Sequence, residues 1–364
     1  MKPALIYFAC ACFLLTNRPS SGATYHLTDL GPVATVSAIN NQGQVVGSAI
    51  FGGETHGFSW TQAGGMHDLG VLNSTHHYSR ANGINDSGTI VGQSSIDDMT
   101  NASSARPIKY SGGAMTTVGT LGGQYGFANA VNATGVIVGL TKLQSTNITH
   151  AFSYDTSFHD LGSFGGGGDY SDAYAVNNAG QVVGVSTLGS TDRGFLWQNG
   201  SLTDLGGLLA GYDPTRAYEI NNLGQIVGES GVAGGFSHAF LWQNGNMQDL
   251  GLLADGSNSS YAIGINDQGN VVGKSYGPST GRAFIWTNAG GMRDLNTMLD
   301  ASGNGWSLLE AHDMNNSGQI VGVGGVGNKL HAYLLTPLPE PSTLVLAAFG
   351  ATGLLLFCAR RRKC

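Results

Sequence analysis

An eight-residue pattern, Asn-x-x-Gly-x-(Val/Ile)-Val-Gly, occurs seven times in this chain, beginning at Asn40, Asn85, Asn132, Asn177, Asn221, Asn266 and Asn315. Successive copies are 44 to 49 residues apart. Two further patterns keep the same beat. One is (His/Arg)-x-aromatic-x-Trp or a relative of it, starting at His56, Arg106, His150, Arg193, His238, Arg282 and His331. The other is Asp-Leu-Gly at Asp29, Asp68, Asp160, Asp204 and Asp249, which decays to Thr117-Val118-Gly119 and Asp294-Leu295-Asn296. A fixed period of this length means an array of like units, each too small to bury its own apolar face.

Each unit reads as four short strands. In the sixth, residues 261–266 form an apolar strand, Asp267-Gln268-Gly269 turns the chain, and 271–275 run back. A third strand follows at 282–286, then a turn at 288–291 and a fourth strand at 292–295. Asn at a turn start, with Gly where φ must be positive, is a hairpin signal with a mechanism. Four strands in 40 to 50 residues is the size of a β-propeller blade. Composition agrees: 58 Gly in 364 residues is hostile to long helices, while Gly without a period of three and only 9 Pro excludes collagen. At 41% hydrophobic residues, disorder is a poor fit.

Closure follows from the half-units at the ends. The repeat region opens with a fourth-strand motif, residues 24–31, that has no strand before it, and ends with a third-strand motif, 331–336, that has none after it. Joining them completes the last unit and leaves no open edge. The expected fold is therefore all-β: a seven-bladed β-propeller of four-stranded blades over residues 24–336, closed by the N-terminal strand in the last blade. The third strand of the second unit carries Pro107, which lacks a donor, and is expected at a blade edge.

The flanks are of another kind. Met1-Lys2-Pro3, an apolar run over 4–15 and Ser21-Gly22-Ala23 read as a secretory signal peptide over 1–23, with cleavage after Ala23. At the other end, a segment over 337–364 holds Pro339-Glu340-Pro341, an apolar run over 344–359, and the basic stop Arg360-Arg361-Arg362-Lys363. A basic end retained in the cytoplasm puts everything before Pro339 outside it. This tripartite tail resembles the PEP-CTERM sorting signal. The resemblance implies processing by a membrane protease-transpeptidase, the exosortase, after transient anchoring by the C-terminal helix. It also implies an association with exopolysaccharide, biofilm and the bacterial surface. The repeats resemble the HAF-type extracellular repeat through His150-Ala151-Phe152 and His238-Ala239-Phe240. That resemblance brings no defined activity.

All four Cys (Cys10, Cys12, Cys358, Cys364) lie in the flanks, so the repeat region has neither a disulfide framework nor a thiolate metal site. Between residues 24 and 341 there are 23 acids and 10 bases, a net charge of −13. Such a surface repels nucleic acid phosphates, and nucleic acid is excluded as a partner.

Loop lengths divide the two faces. The turn between first and second strands never varies, whereas the loops between blades and those between second and third strands do. In a meander these variable loops share one face, and function commonly sits on variable loops over a fixed scaffold. The candidate ligand face comprises His76, His77, Tyr78, Tyr170, Tyr212 and Trp306, since rings stack on sugars while Asp and Asn bind hydroxyls. Plain solvated loops are the competing reading.

No cofactor or metal is expected. The repeated His gives way to Arg in three units, and a guanidinium is no ligand. His or Arg is instead expected to pair with Asp of the next strand, with His331 and Asp29 pairing across the closure. Gly273-Lys274-Ser275-Tyr276-Gly277 matches a hydrolase nucleophile elbow but lacks the helix that one needs. Paired acids such as Asp97-Asp98, or Asp169 with Asp172, are what a glycosidase-like reaction would use. The favoured function is thus a non-enzymatic, exported surface propeller that binds exopolysaccharide or a surface protein. The alternative is a secreted polysaccharide-acting enzyme, a glycosidase or lyase, which would show carboxylates or a His converging in a pocket.

Overall fold

A computed structural model describes residues 24–97, 104–144, 146–165, 170–211, 214–277 and 281–339. Twenty-eight strands form seven four-stranded antiparallel sheets, with two short 3-10 turns, Leu295–Met298 and Ala301–Gly303, after the sixth blade. The sheets are the blades of a propeller. Their innermost strands are Thr35–Ile39, Tyr78–Ile84, Gly122–Val131, Ser171–Val176, Thr215–Ile220, Ser259–Ile265 and Trp306–Met314, and each touches the next around a closed ring. We number the blades 1 to 7 in that order. Strand Tyr25–Pro32 pairs antiparallel with Lys329–Pro337 as the outermost strand of blade 7, with Leu27 opposite Leu335. Tyr25, Leu27 and Leu30 are buried there, so the N-terminal strand is part of the core.

Seven apolar clusters fill the gaps between neighbouring blades, one per interface. At 3–4, for instance, Val138 and Ala151 meet Ala173, Val182 and Phe195. The last glycine of the repeated octapeptide explains how blades pack so closely. Gly47, Gly139, Gly184, Gly228 and Gly273 each stand directly opposite a fully buried Phe of the third strand, and Gly322 opposite Tyr333. A Cβ at Gly273 would lie 1.9 Å from the Tyr261 carbonyl oxygen and 3.0 Å from the Phe284 ring. Only hydrogen fits where that ring lies across the strand.

The Asn that opens each pattern does more than turn the chain. All seven are 3–6% exposed. The Oδ1 of Asn221 accepts from the backbone amides of Leu223 (3.0 Å) and Gln225 (2.9 Å), which stabilises the turn. Its Nδ2 donates to the backbone oxygen of Asn266 in the next blade at 3.0 Å. This inter-blade bond recurs seven times at 2.9–3.3 Å and closes from Asn315 to Asn40. A second ring lies one residue on: backbone amides donate to the next blade's side-chain oxygen in six steps, as from Asn222 to Asp267. It breaks where Ala133 supplies no acceptor.

The expected third-to-fourth-strand pairs are present in six blades, from His150–Asp160 and His238–Asp249 at 2.8 Å to Arg193–Asp204 at 3.8 Å. The closure carries His331–Asp29 at 2.9 Å. Blade 2 has Thr117 in place of the Asp, and its Arg106 turns to the backbone oxygens of Ser104, Ala105 and Gln124. The expectation for Pro107 is corrected. Its strand, Arg106–Ser111, is the third of four, flanked on both sides, and not an edge. Proline is tolerated there because pairing with the short outer strand ends at Ile108–Thr117, one residue before it.

Candidate functional site

The innermost strands enclose an axial cavity of about 930 Å³. One β-bulge per blade shapes it. In every inner strand the residue three before the motif Asn has no partner in the second strand. A bulge re-aims its side chain, and all seven of these side chains line the cavity. Blades 1 to 3 contribute Ser37, Asn82 and Asn129, while blades 4 to 7 contribute Tyr174, Tyr218, Ile263 and His312. A seven-fold scaffold thus encloses a two-sided cavity, small and amidic on one wall, aromatic and charged on the other.

On the charged wall Glu310 is a hub. Lys274 Nζ lies 3.2 Å from it and His312 Nε2 3.3 Å, and Tyr276 donates its hydroxyl at 3.1 Å. The close His312 imidazole, with Lys274 beside it, outweighs burial and holds the Glu310 carboxyl at about 2. Lys274 also sits 5.7 and 5.3 Å from the ring centroids of Tyr261 and Tyr276, within cation–π range. Beside this wall, Glu229 accepts from Arg216 at 2.9 Å and from the Tyr218 hydroxyl at 2.6 Å. The Tyr174 and Tyr218 rings are in tilted contact, 5.8 Å between centroids.

Three carboxyls on the inner strands have no cationic partner among the described residues. Asp172 accepts from Tyr170 (3.2 Å) and Asn129 (2.9 Å), and burial raises it to about 7. Asp313 accepts from the amides of Ile39 (2.8 Å) and Met314 (2.7 Å), and burial likewise raises it to about 7. Glu219 receives the amide of Ile220 at 3.1 Å, and burial, followed by repulsion from Asp313, raises it to about 8. Each binds its proton across part of the neutral pH range.

The residues expected on the ligand face do not converge here. His76 is buried, with Nδ1 2.9 Å from Ser94 Oγ, and braces its loop. His77 is exposed and pairs with Glu54 at 3.1 Å. Tyr78 opens the inner strand of blade 2. Trp306 packs edge-on against His331 and Tyr333. Tyr170 reaches the site's margin through Asp172. Tyr212 lies outside the described residues, as do Ala23, Glu340, Pro341 and Arg360, Arg361, Arg362 and Lys363. Of the paired acids, Asp98 and Asp169 are also outside them, and Asp97 caps Ser104. Ser275 of the elbow-like motif is fully buried in a strand, bonded to the Ser259 carbonyl, and cannot be a nucleophile. No cluster of three or more metal-ligating side chains occurs among the described residues.

What the sequence reading missed is the bulged column. Aligning the seven units on their Asn exposes it: Ser, Asn, Asn, Tyr, Tyr, Ile and His stand three residues before that Asn, a position that no pattern shared by the units predicts.

Comparison with known proteins places the tail and the fold. The PEP-CTERM protein-sorting motif matches residues 337–363, which include Pro339-Glu340-Pro341. This is the mark of an exported protein that is sorted by an exosortase. Among the described residues no helix is long and apolar enough to cross a membrane, and the apolar run over 344–359 lies outside them. No curated relative matches the chain. Among solved structures, the acylaminoacyl peptidase of Pyrococcus horikoshii is similar with TM-score 0.51 and 10% identity, over 90% of this chain and 54% of that one. This chain thus spans about half of the peptidase's length. TolB from Acinetobacter baumannii is similar at TM-score 0.46 and 10% identity, covering 87% of this chain and 97% of that one. An oligogalacturonate lyase from Vibrio parahaemolyticus follows at 0.36 and 8%, covering 88% and 92%. At such identities the likeness to the peptidase speaks for the fold alone.

Proposed function

We propose that this exported propeller is a non-enzymatic binding protein of the cell envelope, and that its ligand is a polysaccharide taken up in the axial cavity. The observation that carries this reading is the wall on which Tyr174 and Tyr218 lie against each other beside Asn129, facing Ser37 and Asn82. Tyrosine faces supply flat apolar area for a pyranose ring, and amides and hydroxyls supply its hydrogen bonds. A cavity of this size lies within the range of small-ligand sites. The sorting tail supports export, which makes exopolysaccharide and surface proteins candidate ligands, and the HAF-type likeness of the repeats belongs to the same proposal.

Glycan-array and calorimetric binding of the purified protein to the producing cell's exopolysaccharide tests this. Tyr174→Ala and Tyr218→Ala are expected to weaken binding tenfold or more, and Trp306→Ala, outside the cavity, far less. Binding unchanged by both tyrosine variants sinks the cavity as the site. A second reading rests on Glu310, where a carboxylate, His312, Lys274 and Tyr276 converge as acid–base catalysis requires. New reducing ends or unsaturated products released by the wild type, and not by Glu310→Gln, would establish the enzyme instead.

A further inference from the structure

Taking the axial cavity as the ligand site, we infer that its ligand carries a positive charge: a saccharide with free amino groups, whose ammonium sits between Glu219 and Asp313 against the Tyr174–Tyr218 pair. Most charges in and around the cavity are matched. On the cavity wall Glu310 has Lys274 and His312, and beside that wall Glu229 has Arg216. Glu219 and Asp313 line the same cavity and, among the described residues, accept hydrogen bonds from backbone amides alone. Glu219 and Asp313 repel each other, and protonation relieves that repulsion; a cationic ligand would instead draw both into their charged form.

The scaffold does not ask for them. Both stand two residues before the motif Asn, where the other five blades carry Ala38, Gly83, Ala130, Ala175 and Gly264. Small residues serve there because inner strands approach closely: a Cβ at Gly83 would lie 2.7 Å from the Asn129 carbonyl oxygen. Carboxyls in blades 5 and 7 are therefore additions to the cavity rather than parts of the barrel wall.

The protein itself shows how this wall holds an ammonium. Lys274 Nζ lies over two tyrosine rings, 5.7 and 5.3 Å from their centroids, and 3.2 Å from a carboxylate. The Tyr174–Tyr218 pair offers aromatic faces at a similar spacing, 5.8 Å between centroids, tilted by 35° where Tyr261 and Tyr276 meet edge-on. No described Lys lies over it, and the nearby Arg216 is held by Asp192 and Glu229. Glu219 and Asp313 supply the carboxylate half. An amino sugar satisfies both, its ring against tyrosine and its ammonium between the acids, while Ser37 and Asn82 across the cavity meet hydroxyls. A uronic acid polymer would set its carboxylates against the same two acids and be repelled.

The test is calorimetry at pH 7 with β-1,4-linked glucosamine tetramer, the fully N-acetylated tetramer of equal length, and spermidine. The amine-bearing tetramer is expected to bind at least tenfold more tightly than the acetylated one. Glu219→Gln combined with Asp313→Asn, near-isosteric and checked by melting, is expected to abolish that preference. Equal or tighter binding of the acetylated tetramer overturns the inference and leaves the carbohydrate site standing. A preference that survives the double variant overturns the placement at Glu219 and Asp313. Spermidine binding without either tetramer supports the cation and overturns the carbohydrate reading. Binding of none of the three overturns both.

Discussion

The inter-blade ring makes a quantitative claim about stability, best tested at Asn221. This residue is 4% exposed and makes four side-chain hydrogen bonds. Oδ1 accepts from Leu223 and Gln225, and Nδ2 donates to the Asn266 backbone oxygen at 3.0 Å and to Gln225 Oε1 at 2.7 Å. A buried hydrogen bond contributes about 1 kcal/mol net. The Asn266 oxygen keeps a second donor, Gly269 N–H, so its loss is partial. Asn221→Ala should therefore cost about 3 kcal/mol, a fall in Tm on the order of 5–10 °C. Asn221→Asp keeps both acceptor bonds and loses the two donor bonds, which should cost about 2 kcal/mol. Asn222→Ala, in the exposed outer ring, removes bonds to Asp267 and from Asn178 that water replaces, and should cost about 0.5 kcal/mol. Urea unfolding followed by tryptophan fluorescence measures all three. If Asn221→Asp proved neutral, the bond between blades would carry nothing and the Asn would be a turn residue only.

Stability should fall as pH rises from about 4 to 8. The carboxyls of Asp172, Asp313 and Glu219 are raised to about 7, 7 and 8, so the folded state holds protons that the unfolded chain has released. Their contribution is complete below pH 4 and gone above pH 8. The fall should be at most on the order of 4 kcal/mol per group, and less for Glu219 and Asp313, which solvent partly reaches. It should shallow in Glu219→Gln, as read by melting across that range. Glu310, held at about 2, works oppositely: its contribution is present above the ordinary carboxyl range and lost as pH falls towards 2. Gly273→Ala should destabilise by about 3 kcal/mol through overpacking against the Tyr261 carbonyl and Phe284. Gly325→Ala, with nothing within 4 Å of the added Cβ, should be neutral or slightly stabilising in the same assay. Deleting residues 25–32 strips Tyr25 and Leu27 from the core and bares the edge of Lys329–Pro337. Size-exclusion chromatography of that truncation should show aggregates and no folded monomer.

The parts of the fold set by the repeat period could be read from the sequence. Seven units fix blade number, and the half-units at the ends fix the closure, because strand pairing must be completed somewhere. The His–Asp pairs followed, since strand order and turn length set which side chains lie diagonally across neighbouring strands. The Asn ring did not. Asn in a tight turn already has a sufficient local explanation, and nothing within one unit says that its free Nδ2 reaches the next. The cavity stayed hidden for a related reason. Tyr174, Tyr218 and His312 occupy the bulged position, and regular alternation does not show that a bulge will aim them at the axis.

The Asn ring and the bulged column together show where function can reside in such a molecule. Positions that repeat in all seven units, such as the motif Asn and the strand Gly opposite an aromatic or Ile108, are occupied by contacts within or between blades. A substitution in one of them is felt as packing or hydrogen bonding, and little freedom is left for a ligand. Positions that differ between units are free of that duty. In the inner strand these are the bulged residue and its neighbour two before the Asn, which is small in five blades and a carboxyl in two. Symmetry then separates structure from recognition within single strands: in blade 5, Tyr218 and Glu219 face the cavity while Asn221, two residues on, ties the blade to its neighbour. Exchanging Tyr218 and Glu219 for the Asn82-Gly83 pair of blade 2 should therefore leave the fold intact and remove the ligand. Loss of the fold on that exchange would mean that the aromatic wall is structural after all.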